Sequence, residues 1–139
     1  MKIKLIAVVA LLFVTGCIKS SLDSQRESLE ETAKGFYNHL MWKYYDRCTF
    51  VITPVNRAEF ELFALGYKDK LHITSYQFRL FDISTDDDSA VVMLLMTYYL
   101  YPSVTERTVI LQDKWVRKGK TWLLDNPDYK KVFKNDSGS

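Results

Sequence analysis

Between Tyr67 and Ile73 the spacing of apolar residues changes from steps of three and four to alternation by two, and it does not change back. The first period belongs to a helix that buries one stripe, the second to a strand that buries one face. Helices followed by strands, without alternation between them, predict an α+β chain rather than a parallel α/β one. Ahead of the change, Ser24-Gln25-Arg26-Glu27 has the form of a capping box opening a helix. The stripe behind it runs through Leu29, Ala33, Phe36, Tyr37, Leu40, Met41, Tyr44 and Tyr45. Glu30 and Lys34 stand in the favourable i, i+4 order on the other side. Thr53-Pro54 interrupts the pattern, because a residue before proline avoids the helical region. Asn56-Arg57-Ala58-Glu59 offers a second cap, and Phe60, Phe63, Ala64 and Tyr67 give a second helix over about residues 57–65. Residues 47–52 read equally as a helical turn or a short extended run.

Behind the change, residues 73–83, 90–101, 105–116 and 121–125 read as four strands rich in β-branched and aromatic residues. They are divided by the turn cluster Ser84-Thr85-Asp86-Asp87-Asp88-Ser89, by Pro102-Ser103 and by Arg117-Lys118-Gly119-Lys120. Short turns make neighbours pair antiparallel, so the expected architecture is N-terminal helices packed on a four-stranded antiparallel meander. Trp122, beside the last turn, is expected in the core.

The second strand is apolar on both faces. Val91, Met93, Leu95, Tyr99 and Tyr101 share one side with Thr97, while Val92, Leu94, Met96, Tyr98 and Leu100 share the other. A sheet with one wet face should alternate apolar and polar. One side must therefore cover the helices, and the other needs a cover of its own. The odd-numbered side, with its threonine and two tyrosines, is the better interface. Met93, Leu95, Tyr99 and Tyr101 are thus candidate contacts for a homodimer or another protein partner. The alternative cover is the segment towards Pro102 or the C-terminal stretch of Tyr129, Val132 and Phe133.

The segment "VILQDKWVRKGKTWLLDN", residues 109–126, is similar to the last hairpin of polyketide-cyclase-like and ketosteroid-isomerase-like proteins. "GFYNHLMWKYYDRC", residues 35–48, is similar to their first helix and the turn after it. The chain therefore resembles the cystatin-like, nuclear-transport-factor-2-like superfamily. That resemblance implies a bent sheet and helices forming a cone, which in many members holds a pocket. In such a cone Tyr37, Tyr98 and Trp115 are candidate ligand-binding residues. It also implies dimers through the convex sheet face in some members, and isomerase or cyclase chemistry in others. That chemistry needs a carboxylate base and an oxyanion hole within an apolar cavity. Tyr98, Tyr99, Tyr101, Asp82 and Asp113 supply the residue types, without a match to catalytic positions, and no catalytic residue is assigned. His39 and His72 are far apart and lack metal-ligand spacing, so no metal site is expected. Nucleophile-elbow, phosphate-loop and zinc-protease motifs are absent, and no cofactor is expected.

The first sixteen residues have the layout of a signal peptide: Lys2 and Lys4, an apolar run of about ten residues at 5–14, then Thr15 and Gly16. The run is short of the ~20 residues that a transmembrane helix needs. Val14-Thr15-Gly16-Cys17 resembles the lipobox of bacterial lipoproteins, which implies lipidation of Cys17 and cleavage before it. Residues 17–24 are then a lipidated tether, 25–134 a single domain, and 135–139 a disordered tail. The lipoprotein resemblance also implies a location. In the enterobacterial sorting pattern an aspartate after the cysteine retains the protein at the inner membrane, and Ile18 in its place points to the outer membrane facing the periplasm, if the organism has one. Of the 19 basic residues, Lys2 and Lys4 leave with the leader, and the remaining 17 balance the 17 acidic ones. This balance speaks against a nucleic-acid partner. The late lysines, from Lys118 to Lys134, read as a solvated turn and tail. With Cys17 acylated, Cys48 has no partner in the chain and reads as a buried, inert thiol. The resulting expectation is a lipid-anchored cell-envelope protein, a non-enzymatic binding module for a small apolar ligand or a protein. An isomerase- or cyclase-like enzyme and a purely structural lipoprotein are the alternatives.

Overall fold

A computed structural model describes residues 3–134, with side chains from 21 to 132. The Cys17 side chain, those of the leader and the tail at 135–139 lie outside the described residues. The first helix, α1, spans Ile3–Met41. It does not open at the Ser24 capping box, which lies inside it. A cap stabilises a helix start by ~1 kcal/mol, whereas a helix already running gains a hydrogen bond with each added residue.

The expected stripe buries Leu29, Ala33, Phe36, Tyr37 and Leu40, but Tyr44 is exposed. The helix stops before it because Lys43 takes a positive φ of 63°. The Tyr44 amide then donates to the His39 carbonyl at 2.8 Å, and the Lys43 amide to that of Leu40 at 3.1 Å. This is a Schellman stop with lysine where glycine is usual. The Lys43 ammonium donates to the Lys68 carbonyl at 2.6 Å, tying the end of α1 to the end of the third helix.

Residues 47–51 resolve as helix, in α2, Tyr45–Val51, and Ile52 turns extended to bridge Leu124. The next helix, α3, is Pro54–Tyr67 and begins at the proline rather than near Arg57. Proline suits a first helical position, where its missing N–H has no partner to lose. Asn56 therefore sits inside the helix. Its amide donates to the Asp125 carbonyl and, at 3.0 Å, to the Thr53 hydroxyl.

Four strands follow: β1 Leu71–Ile83, β2 Ser89–Leu100, β3 Arg107–Lys118 and β4 Thr121–Asn126. They form one antiparallel sheet in the order β1-β2-β3-β4. The loop between β3 and β4 is Gly119-Lys120, with glycine at a φ of 63° that its lack of a Cβ permits. In β1, Thr74 and Arg79 are extra residues opposite β2. Such bulges shift the phase of a strand. The side of β1 facing the helices is therefore Leu71, Ile73, Tyr76, Phe78, Phe81 and Ile83, which no strict alternation predicts. After β4, Pro127 and Tyr129 are buried and a short helix, α4, covers Lys130–Lys134.

The helices cover one face of the sheet. On β2 that face is Ala90, Val92, Leu94, Met96, Tyr98 and Leu100, all buried. Trp122 is buried as expected. Tyr129 stacks on Phe63 at 4.4 Å between ring centres, and Val132 is buried. Tyr129 and Val132 thus belong to the helix side and do not cover the outer face; the Phe133 side chain lies outside the described residues.

Candidate functional site

The interior is filled with aromatic rings. Phe36, on α1, lies 5.2 Å from Tyr37 and 6.2 Å from Trp115, centre to centre, both edge-on. Tyr37 in turn meets Tyr76 at 5.8 Å and Phe78 at 5.9 Å. Two of the three candidate ligand-binding residues, Tyr37 and Trp115, are brought together around Phe36. Tyr98 lies further along β2. It is far from Trp115, which pairs with Ala90, but it is the next inward residue after Met96, whose partner Tyr76 meets Tyr37. All three side chains are buried. The Tyr98 hydroxyl and Trp115 Nε1 make no hydrogen bond among the described residues.

Asp113 stands between Leu111 and Trp115 on the inner side of β3 and is wholly buried. The Tyr37 hydroxyl donates to its Oδ2. The Asp128 amide donates to its Oδ1 at 2.8 Å. The Asp128 carboxylate accepts from the Gln112 amide at 3.0 Å and from Lys131 Nζ at 2.6 Å. Burial pushes the Asp113 carboxyl up to about 6, against the two hydrogen bonds that favour its charged form. Burial and the neighbouring carboxylate drive the Tyr37 phenol well above its ordinary value. An acid and a tyrosine in apolar surroundings are the ingredients of a proton-transfer site. Here, however, each carboxylate oxygen holds a donor, and the carboxylate has no exposed surface for a substrate to reach. The pair joins α1 to β3 and acts as a structural link.

Cys48 is likewise buried, its thiol directed at the Phe36 carbonyl at 3.7 Å, and burial pushes it up to about 12. A thiol so far from ionisation is a packing group.

The outer face of the sheet is more open. Met93, Leu95 and Tyr99 are half-buried there, as the odd-numbered side of β2. Leu80 pairs with Met93, and Ile110 with Leu95; these two are 47% and 54% exposed and extend the apolar patch across three strands. Leu80 was hidden from sequence reading by the bulge at Arg79, which turns it outward. Ile110 was legible as the neighbour of inward-facing Val109 and Leu111. Thr97 and Thr108 meet at 3.3 Å, and Tyr99 stacks on His72 at 4.7 Å with the rings 10° apart. Tyr101 lies beyond the end of β2 and is 58% exposed. A shallow groove of about 350 Å³ lies between α2 and α3, lined in part by Tyr45, Thr49, Ala64 and Leu65.

No protein-family model and no curated protein matches this chain. Among solved structures, it is similar to a SEC-C motif-containing protein from Rhodopseudomonas palustris. The likeness is one of fold. The TM-score is 0.62 at 10% sequence identity, and the match covers 73% of this chain and 78% of the other. Both chains share helices packed on an open antiparallel sheet, and at this identity no site residue carries across.

Proposed function

We propose that this chain is a lipid-anchored protein of the bacterial cell envelope whose domain, of the nuclear-transport-factor-2-like kind, is a non-enzymatic binding module. The outer sheet face carries the reading. Leu80, Met93, Leu95, Ile110 and Tyr99 form an apolar patch, with Thr97 and Thr108 between the Leu95 and Tyr99 rows, away from the face that the helices cover. Asp82 and Lys114 flank Val91 at one end of this patch, leaving its middle neutral. A neutral, self-complementary face suits a second copy of the same chain, since no like charges meet across a two-fold axis. The filled interior and the sealed Tyr37–Asp113 pair favour surface binding over a catalytic cone. The small-ligand form of this reading moves from the interior to the groove between α2 and α3. The anchor rests on the apolar run and on Val14-Thr15-Gly16-Cys17; acylation by two or three chains would hold the domain at the membrane.

Sedimentation of residues 18–139, wild type against Leu95→Glu, tests the module. The wild type is expected to be dimeric at micromolar concentration. The variant should be monomeric with unchanged circular dichroism, because a charge desolvated between two sheets is costly but is hydrated on one. A wild type monomeric at high micromolar concentration removes the dimer. Incorporation of labelled fatty acid, lost in Cys17→Ser, tests the anchor.

A further inference from the structure

A polar cavity of about 400 Å³ lies between α1 and the β3–β4 hairpin. Ser21, Ser24 and Ser28 stand on one side of α1 with Gln25; Arg117 and Lys120 reach in from the hairpin, and Trp122 forms part of the wall. Its described lining holds two cations and no carboxylate. Arg117 is three-quarters buried, and its Nε makes no hydrogen bond. Its ion-pair contact is Asp88, 3.7 Å from Nη2, with an Asp88 side chain that is itself mostly exposed. Gln25 Oε1 is also buried without a partner.

These groups define a ligand. A largely buried guanidinium whose Nε–H has no partner, beside a lysine, suits a tetrahedral anion, because arginine donates charge-assisted hydrogen bonds to phosphate oxygens. The serine hydroxyls supply further donors. The free Gln25 oxygen requires a donor in return, such as a hydroxyl on the ligand. The volume lies within the ~300–1,000 Å³ of small-molecule sites. We propose that this cavity binds a phosphate ester bearing a hydroxyl group, held by Arg117, Lys120 and the serines of α1.

Such a group belongs either to a soluble phosphate ester or to a phosphoglycerol lipid headgroup. The second source rests on the envelope reading. Ser21 is four residues from Cys17, one helical turn or ~6 Å along the axis. An acylated Cys17 would bring the cavity to the headgroup layer.

Calorimetry of the full-length chain in neutral detergent, with glycerol phosphate as the probe, tests the site. Saturable binding is expected, weakened about tenfold or more in Arg117→Gln and in Lys120→Gln. Arg117→Lys should not restore it, since lysine keeps the charge and loses the fork. Lys114→Gln, on the outer sheet face, should bind as wild type. Lys120 lies in an exposed loop, so its variant remains informative if Arg117→Gln fails to fold. Absence of saturable binding by the wild type overturns the proposal. So does wild-type affinity in Arg117→Lys, which would make the attraction one of diffuse charge. Phosphatidylcholine vesicles with and without phosphatidylglycerol distinguish the sources. Arg117-dependent binding to the latter lipid, above that of free glycerol phosphate, assigns the headgroup; equal affinity assigns the soluble ester. The mass of the N-terminal peptide reads acylation separately. An unacylated chain that binds glycerol phosphate would remove the envelope reading and leave the site intact.

Discussion

The two faces of β2 are nearly equal in apolar character and unequal in burial. Val92, Leu94, Met96 and Tyr98 are sealed under the helices, while Val91, Met93, Leu95 and Tyr99 stay half-open on the other side. Hydrophobicity alone therefore did not decide which residues are core. The partner surface did: α1, α3 and the C-terminal Tyr129 cover one side, and nothing among the described residues covers the other. An inner residue owes its burial to folding. An outer residue has apolar surface left for association.

The sharpest contrast is at the inner edge. Trp122→Ala is expected to lower stability by ~3–5 kcal/mol, as loss of a buried tryptophan typically does, against the ~5–15 kcal/mol holding a domain together. Urea denaturation reads this directly, and a melting point within a degree or two of wild type would place Trp122 outside the core. Neighbours on β2 test the faces against each other. Leu94→Ala should cost ~2–5 kcal/mol and Leu95→Ala under ~1 kcal/mol in the monomer. Equal costs would erase the distinction between the faces.

Asp113 gives the inner face a pH signature. Its folded-state value of about 6 lies above the ordinary 3.8. Between these values the native state holds a proton that the unfolded chain has released, so this group's contribution favours folding at acid pH and is lost as pH rises through about 6. At ~1.4 kcal/mol per unit, the full effect is on the order of 3 kcal/mol. Asparagine at this position keeps an acceptor for the Asp128 amide and does not titrate. The stability of wild type relative to Asp113→Asn should therefore rise as pH falls from 7 to 4, measured by urea denaturation at stepped pH. A difference independent of pH would mean that Asp113 titrates normally in the fold. The smallest expected effect is on the outer face, where Thr97→Ala should cost ~0.2–1 kcal/mol through loss of the cross-strand pair with Thr108.

Much of this architecture was present in local signals. The change of period at residues 67–73 separated the helices from the meander. Gly119 marked the last hairpin, the leucine and aromatic spacing of α1 marked its buried side, and Thr97 with the tyrosines marked the open side of β2. Each of these signals acts over a few residues, through backbone preference or a repeating face, and so it is legible in the chain alone. The three-dimensional arrangement decided the rest. Lys43 stops α1 in a conformation that sequence rules reserve for glycine, and its ammonium is held by a carbonyl 25 residues away. The bulges at Thr74 and Arg79 depend on pairing with β2 and turn Leu80 outward. Asp113 meets Tyr37 across 76 residues, and Arg117 lines one cavity with the distant serines of α1. Burial, charge state and cavity shape at these places depend on which distant segment packs alongside, and no local pattern encodes that choice.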